Sequence, residues 1–195
     1  MGSKSKRSIP IVVIDTNVLY AADALDDPDC QTEALGQVIS ARTGKERIAL
    51  DEQGYILEEY ARDTRTLDNT SVRKQFVNWL RAYQYTQCVL VDPQPIDDSG
   101  ANFGLFPSDP ALADFHIDDR KFVAVALAAQ KETGQPVPIV NAVDSDWCNY
   151  RAALQQNGVW CGFCARPECH KPSVAKSLAA GKSPSQCNLS HRCRL

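Results

Sequence analysis

The chain has 195 residues, of which 44% are hydrophobic and 23% charged, and its net charge is -3. This length suits one domain with a full core, and the near-neutral charge argues against strong non-specific polyanion binding by the whole molecule. No apolar run approaches the roughly 20 residues that a membrane span needs, and the N-terminus has no hydrophobic signal-type stretch, so we expect a cytoplasmic protein without membrane association.

Composition divides the chain into three parts. Residues 1–8 hold three cations, three serines and a single apolar residue, Met1, and should form a basic disordered tail. Residues 9–160 carry alternating strand and helix patterns and should form the folded domain. Residues 161–195 are rich in cysteine and histidine, with a Lys- and Ser-rich stretch between them, and we expect either disorder or zinc binding there.

The first pattern of the domain is the aliphatic run at residues 11–14, which is followed directly by Asp15, Thr16 and Asn17. A short β-branched run is typical of a central strand of a parallel sheet. Helical patterns follow at residues 18–22 and 31–41. Asp15 should therefore lie at the carboxyl end of a buried strand, where α/β sheets bind their ligands.

The middle of the chain continues this alternation. Residues 48–50 indicate a second strand, residues 53–84 two helices, and residues 88–91 a third strand. Residues 92–117 contain four prolines and predict a long loop. A loop of that length inside a compact domain is usually functional or mobile.

The last third begins with a strong helical pattern at residues 118–129, with acids in its first turn. Residues 137–143 indicate a fourth strand that is interrupted by Pro138. A helix to about residue 156 and a last strand at residues 159–160 follow. The alternation of strand and helix predicts a three-layer α/β/α fold with a central parallel sheet.

Acidic residues follow each of the four predicted strands. The carboxyl ends of parallel strands meet at one edge of a sheet, so these acids should converge. An all-oxygen cluster without His or Cys suits Mg²⁺ or Mn²⁺, and such ions promote the attack of water on phosphodiesters. The acids are Asp15, Glu58, Glu59, Asp118, Asp119 and Asp144.

Four segments of the chain resemble the PIN-domain ribonucleases. They are VIDTNVL at residues 13–19, DEQGYILEEY at 51–60, DRKFVAVA at 119–126 and VDSDW at 143–147. The resemblance covers residues 11–160 and implies a Mg²⁺- or Mn²⁺-dependent endoribonuclease that acts on RNA. It also implies that the chain is a candidate toxin of a bacterial toxin–antitoxin pair, with an antitoxin or a second copy of the chain as candidate partners.

The resemblance also implies roles for particular residues. The catalytic acids and metal ligands would be Asp15, Glu59, Asp119 and Asp144, with Asp146 as a further ligand or a support for one. Asn17, Glu58 and Asp118 would be supporting neighbours, and Glu58 would replace Glu59 in a different helix register. The chain departs from the family in its long acidic loop, in Val143, where the family often has a hydroxyl residue nearby, and in its cysteine-rich tail.

Structural interpretations compete with each of these roles. Asp15 and Asp146 could cap helices, and one acid of each neighbouring pair could be a solvated or first-turn residue. For Trp147, packing in the core is a better interpretation than stacking on a substrate. Arg62, Arg120 and Lys121 are candidate RNA contacts if they lie near the cleft, and ordinary surface charges otherwise.

Two rival functions remain open from the sequence. One is a PIN-like binding module without catalysis that acts through its tail or long loop. The other is a nuclease that acts on DNA.

The tail contains the pattern of a candidate structural zinc site. A pair of cysteines two residues apart is how many zinc sites begin, although no second such pair follows. The candidate ligands are Cys161, Cys164, Cys169, His170, Cys187, His191 and Cys193.

Overall fold

The computed structural model describes residues 8–24 and 27–163. Its centre is a five-stranded sheet in the order β3-β2-β1-β4-β5, in which every pair of neighbouring strands is parallel. This confirms the predicted α/β architecture with a central parallel sheet. The strands are β1 (Ile11–Ile14), β2 (Arg47–Asp51), β3 (Cys88–Val91), β4 (Ile139–Asn141) and β5 (Cys161–Phe163).

Seven α-helices are found in the described residues. Helix α5 packs on β1, β2, β3 and β4, whereas α3 and α4 contact β2 and β3 and α1 contacts β4. Right-handed crossovers place α1 to α4 on one face of the sheet and α5 on the other. The helices are α1 (Thr16–Asp23), α2 (Pro28–Arg42), α3 (Tyr55–Ala61), α4 (Val72–Gln87), α5 (Arg120–Thr133), α6 (Ser145–Asn149) and α7 (Arg151–Gln156).

Strand β1 is the middle strand, and all four of its residues are buried. Val12 pairs with Ile48 of β2, and Val13 pairs with Ile139 of β4. The chain builds the sheet outward from β1 in one direction as far as β3 and then in the other direction through β4 and β5. The strand order therefore reverses between β1 and β4, which is the position where open α/β sheets form a ligand crevice.

Three predicted boundaries are wrong. Strand β4 has three residues rather than seven, because Pro138 precedes it and the side chain of Asn141 bonds to the backbone N–H and C=O of Asp144, which turns the chain there. The helix expected from residue 118 begins at Arg120, after a 3-10 turn at Ile117–Asp119. The single helix expected up to residue 156 is two short helices, α6 and α7.

The last strand is also later than predicted. It covers Cys161–Phe163 rather than residues 159–160, so the sheet continues beyond residue 160, where we expected the tail to begin. Cys161 is a free, buried thiol of this strand and belongs to the core.

Residues 92–117 form a long connection, as predicted, and both ends of it are anchored. Pro95 and Phe103 form an isolated antiparallel bridge, and Leu112 and Phe115 are buried. The ring of Phe115 packs edge to face on Trp147 with a centroid distance of 5.2 Å. Within the described residues, no helix is long and apolar enough to cross a membrane.

Candidate functional site

Asp15 lies at the end of β1, at the point where the strand order reverses. It is the N-cap of α1: one carboxylate oxygen, Oδ1, accepts the backbone N–H of Asn17 at 3.0 Å. The other oxygen, Oδ2, accepts a hydrogen bond from the indole Nε1 of Trp147. Only 4% of Asp15 is exposed, so this carboxylate is buried and held in one orientation.

Asp144 lies on the neighbouring strand connection, after β4. Its Oδ1 accepts the backbone N–H of Asp146 at 2.8 Å, which makes Asp144 the N-cap of α6. The side chain of Asn17 fixes the distance between the two strand ends, because its Oδ1 accepts the backbone N–H of Ala142 at 2.8 Å. Asn17 therefore joins the ends of β1 and β4, and its supporting role at a metal site stays a prediction.

Glu58 and Glu59 of α3 both line the cleft at this edge, and of the two it is Glu59 that contacts Thr16 and Lys121. Oε1 of Glu59 accepts the hydroxyl of Thr16, and Oε2 lies 2.5 Å from Nζ of Lys121. The side chain of Glu59 is 17% exposed, whereas Glu58 is an exposed residue. The helix register therefore places Glu59, the residue preferred from the resemblance, beside the other acids.

Asp119 completes the cluster from the 3-10 turn before α5. Its side chain is 16% exposed, and its Oδ2 lies 4.0 Å from Nδ1 of His116. The neighbouring Asp118 is exposed, and its backbone carbonyl accepts a hydrogen bond from Nζ of Lys121. The structure thus gives the two adjacent acids different surroundings.

The charges of these acids act on one another. Burial raises the pKa of Asp15 to about 8, and the charges of Asp119 and Asp144 add to that rise. Burial and then Asp144 raise the pKa of Asp119 to about 7, with Glu59 contributing and His116 and Lys121 opposing. Such unrelieved repulsion is what a bound cation would remove.

The donor chemistry of Asp15, Asp119 and Asp144 fits a hard divalent ion, because all the groups are carboxylates without His or Cys among them. Their side chains are at present held by protein donors, and among residues 8–24 and 27–163 no group of three His, Cys, Asp or Glu side chains stands ready to hold a metal ion. Small rotations of partly buried carboxylates toward one another would have to accompany binding.

A polar cleft of about 680 Å³ borders the cluster. Glu58, Glu59, Asp118 and Lys121 line it together with Ser99 and Gly100 of the long connection, and it reaches the acid cluster at Glu59 and not at the three aspartates. Three arginines, Arg62, Arg65 and Arg81, also face this cleft, and none of their guanidinium groups has a hydrogen bond or ion pair with a described residue. The cleft therefore combines acids with free cationic groups.

The two other candidate RNA contacts have different surroundings. Arg120 lies over the ring of Phe106 and donates to the carbonyls of Ala113 and Phe115, so its guanidinium holds the long connection in place. Lys121 is buried beside Glu59 and is not the surface charge that the sequence favoured. The possible role of Asp146 as a ligand stays a prediction.

Several residues of the site were not identified from the sequence. Thr16 and Lys121 hold Glu59, and Trp147 holds Asp15, although we expected the indole to serve only in packing. Asp51, at the end of β2, accepts the N–H groups of Tyr55 and Ile56 and so fixes the start of α3, which carries Glu59. The position of Asp51 directly after a strand is the signal that could have identified it.

The predicted zinc ligands lie mostly outside the described residues: Cys164, Cys169, His170, Cys187, His191 and Cys193. Cys161 is described, and burial raises the pKa of its thiol to about 12. Zinc in the tail stays a prediction that elemental analysis of the purified full chain would test.

Comparison with models of known protein families, with curated proteins and with solved structures found no significant match.

Proposed function

We propose that this chain is a metal-dependent endoribonuclease of the PIN-like class, which hydrolyses RNA phosphodiester bonds at the carboxyl edge of its sheet. The observation that carries the proposal is the group of three acids, Asp15, Asp119 and Asp144, which come close to one another from three separate segments, so that burial and the neighbouring charges raise the pKa of Asp15 and of Asp119. Groups with strongly perturbed pKa values in a cleft are candidates for a functional site.

The protein's own residues provide a rigid frame for this chemistry. Trp147 and the N–H of Asn17 hold the two oxygens of Asp15, and Asn17 joins the ends of β1 and β4. A bound Mg²⁺ or Mn²⁺ would supply an activated water and offset the charge that develops on the phosphate, while the aspartates stay non-covalent.

The arginines favour a nucleic-acid substrate. Arg62, Arg65 and Arg81 line the same cleft as Glu59, and free guanidinium groups bind phosphates in bidentate geometry. The resemblance to PIN-domain ribonucleases selects RNA over DNA in the proposal. A role as the toxin of a toxin–antitoxin pair, an antitoxin partner and a homodimer belong to the same proposal.

A second candidate function is a binding module of this fold that does not catalyse. The ion pair of Lys121 with Glu59 favours it, because this pair already neutralises one of the four acids without a metal. In that case RNA would bind without being cleaved.

A cleavage assay separates the candidates. We expect the full chain to cleave an unstructured RNA in the presence of Mn²⁺, and Asp15→Asn and Asp144→Asn to lose at least 100-fold of that rate, on the scale of a lost transition-state interaction. Asp29→Asn, on the exposed start of α2, is the matched control and should keep full activity. Equal cleavage by the wild type and Asp15→Asn, or no cleavage by either, would refute the proposed catalytic activity.

The same assay with other substrates tests the specificity. Single-stranded RNA, branched DNA and a chromogenic phosphomonoester are compared at equal protein concentration. If branched DNA is cleaved fastest, the proposed substrate is DNA and not RNA. If the phosphomonoester is hydrolysed fastest, the proposed nuclease activity is refuted.

A further inference from the structure

We infer that the ammonium group of Lys121 fills the place of a second metal ion, so that the acid cluster binds one divalent ion and not two. The inference rests on the proposed function and specifies which positive groups neutralise the acids of that site. It also assigns Lys121 a direct contact with the substrate's phosphate.

Both oxygens of Glu59 already have partners. Oε2 lies 2.5 Å from Nζ of Lys121, and Oε1 accepts the hydroxyl of Thr16. The side chain of Lys121 is only 7% exposed, so its ammonium is largely shielded from bulk water although the residue lines the cleft. A metal ion that bound Glu59 would have to compete with this ammonium for its carboxylate.

Displacement would be costly. Removing one partner of a buried ion pair leaves an uncompensated charge and is strongly destabilising. Two divalent ions of a two-metal site lie about 4 Å apart, and they would place four positive charges beside the ammonium of Lys121. One divalent ion and this ammonium together supply three positive charges beside the four carboxylates, whereas two divalent ions and the ammonium would supply five.

The other three acids have no such partner. Among the described residues, His116 is the one basic group within 4.0 Å of any of them, at Asp119. Asp15 and Asp144 accept hydrogen bonds only from neutral groups, the indole of Trp147 and backbone N–H groups. The single ion would therefore bind to Asp15, Asp119 and Asp144, with Glu59 left to Lys121.

The ammonium also has a free donor. Nζ carries three N–H groups, and two of them are used by Glu59 and the carbonyl of Asp118. Lys121 lines the cleft, so the third can reach a phosphate oxygen of a bound strand. This is the charge stabilisation that the second ion supplies in two-metal sites.

Counting bound Mn²⁺ tests the inference. Mn²⁺ prefers oxygen to thiolate ligands, which limits binding by the cysteines of the full chain, and the amount bound by Asp15→Asn is subtracted as background. Equilibrium dialysis should give one ion per chain for the wild type and for Lys121→Arg. Lys121→Met should bind two, and its electron paramagnetic resonance spectrum should change from that of an isolated ion to that of a coupled pair.

A second pair of variants does not depend on the folding of Lys121→Met. Because Glu59 is not a ligand in this account, Glu59→Gln should keep its Mn²⁺ affinity within about threefold of the wild type, whereas Asp119→Asn should lose at least tenfold. Thermal melting of each variant confirms that it is folded. Equal losses in the two variants would overturn the inference.

The remaining outcomes separate this inference from the proposed function. Two ions in the wild type, or one ion in a folded Lys121→Met, overturn the inference even if RNA is cleaved. One ion in the wild type and two in Lys121→Met, without RNA cleavage, would support the inference and refute the nuclease. No Mn²⁺ above the Asp15→Asn background would overturn both.

Discussion

The indole Nε1 of Trp147 donates a hydrogen bond to Oδ2 of Asp15, and it joins two residues that are 132 positions apart in the chain. Both residues are buried, and Trp147 is in turn packed against Phe115 of the long connection. The orientation of the central acid thus depends on a helix and a loop that lie far from it in sequence. Trp147 is therefore a positioning residue for Asp15.

Replacing this tryptophan should weaken the fold and the site together. Trp147→Phe removes the donor and leaves an aromatic ring, so Asp15 keeps a buried oxygen without a partner. A buried unsatisfied group costs about 1–3 kcal/mol, and we expect a loss of that size in the free energy of unfolding measured by urea denaturation.

Trp79→Phe is the matched control, because Trp79 is partly buried and stacks on Phe76, and its indole N–H has no partner among the described residues. Similar losses in both variants would mean that ring size alone is responsible.

The stability of the metal-free protein should fall as the pH rises. Burial and neighbouring acids raise the folded-state pKa of Asp15 to about 8 and of Asp119 to about 7, above the value of about 3.9 in an unfolded chain. The native state therefore holds protons that the unfolded state has lost, and from about pH 4 up to these values stability drops by up to about 1.4 kcal/mol per pH unit for each group.

Urea denaturation between pH 5 and 8 in the presence of a chelator measures this slope. Asp15→Asn cannot ionise at that position and should give a flatter profile than the wild type. A wild-type profile that is flat or rises over this range would show that the two acids are not coupled as described.

The free arginines should bind RNA rather than take part in the chemical step. Arg62→Gln, Arg65→Gln and Arg81→Gln should each raise KM and change kcat little, because a phosphate contact away from the reacting bond contributes equally to substrate and transition state. Each lost contact should also reduce the slope of log affinity against log salt by about 0.7, the value for single strands.

Arg42→Gln, on the exposed end of α2 and away from the cleft, provides the control and should leave both quantities unchanged. A loss in kcat for the cleft variants with KM unchanged would contradict this assignment.

Asn17 should matter for metal binding although it does not belong to the acid cluster. Asn17→Ala removes the bond to the N–H of Ala142 that joins the ends of β1 and β4. We expect a loss of about 1 kcal/mol in stability and a Mn²⁺ affinity that is lower by at least tenfold, in the range seen for groups that orient metal ligands.

Isothermal titration with Mn²⁺ measures the affinity, and Asn149→Ala, at an exposed position of α6, is the control. If Asn17→Ala lost stability but bound Mn²⁺ as tightly as the wild type, the positioning role would be wrong.

Much of the fold could be predicted because its signals are local. The aliphatic run of β1 and the periodic patterns of α2, α4 and α5 determine their elements without help from distant residues. The boundaries failed where a side chain decides them: Asn141 ends β4 through bonds to the backbone of Asp144, and no periodicity shows that. The last strand was misplaced because residues 159–163 mix apolar residues, glycine and cysteine without alternation.

The acids of the candidate site could be predicted from the sequence, whereas the side chains that hold them could not. Asp15 follows a strand directly, and parallel topology alone brings it to the functional edge. Lys121 was predicted as an RNA contact or a surface charge, and its ion pair was not predicted, since nothing in its sequence neighbours shows that α5 turns it toward Glu59 on another helix. The hydrogen bond of Trp147 was missed for the same reason. The packing of its ring could be predicted from the sequence, whereas its bond to Asp15 depends on where β1 and α6 meet in the fold.

The most direct test of the account is a crystal of the full chain grown or soaked with Mn²⁺ and measured for anomalous scattering. The account predicts one anomalous peak in contact with Asp15, Asp119 and Asp144, with Lys121 still paired to Glu59. A peak elsewhere in the chain with none at these three aspartates, or no peak at a Mn²⁺ concentration that supports RNA cleavage, would contradict it.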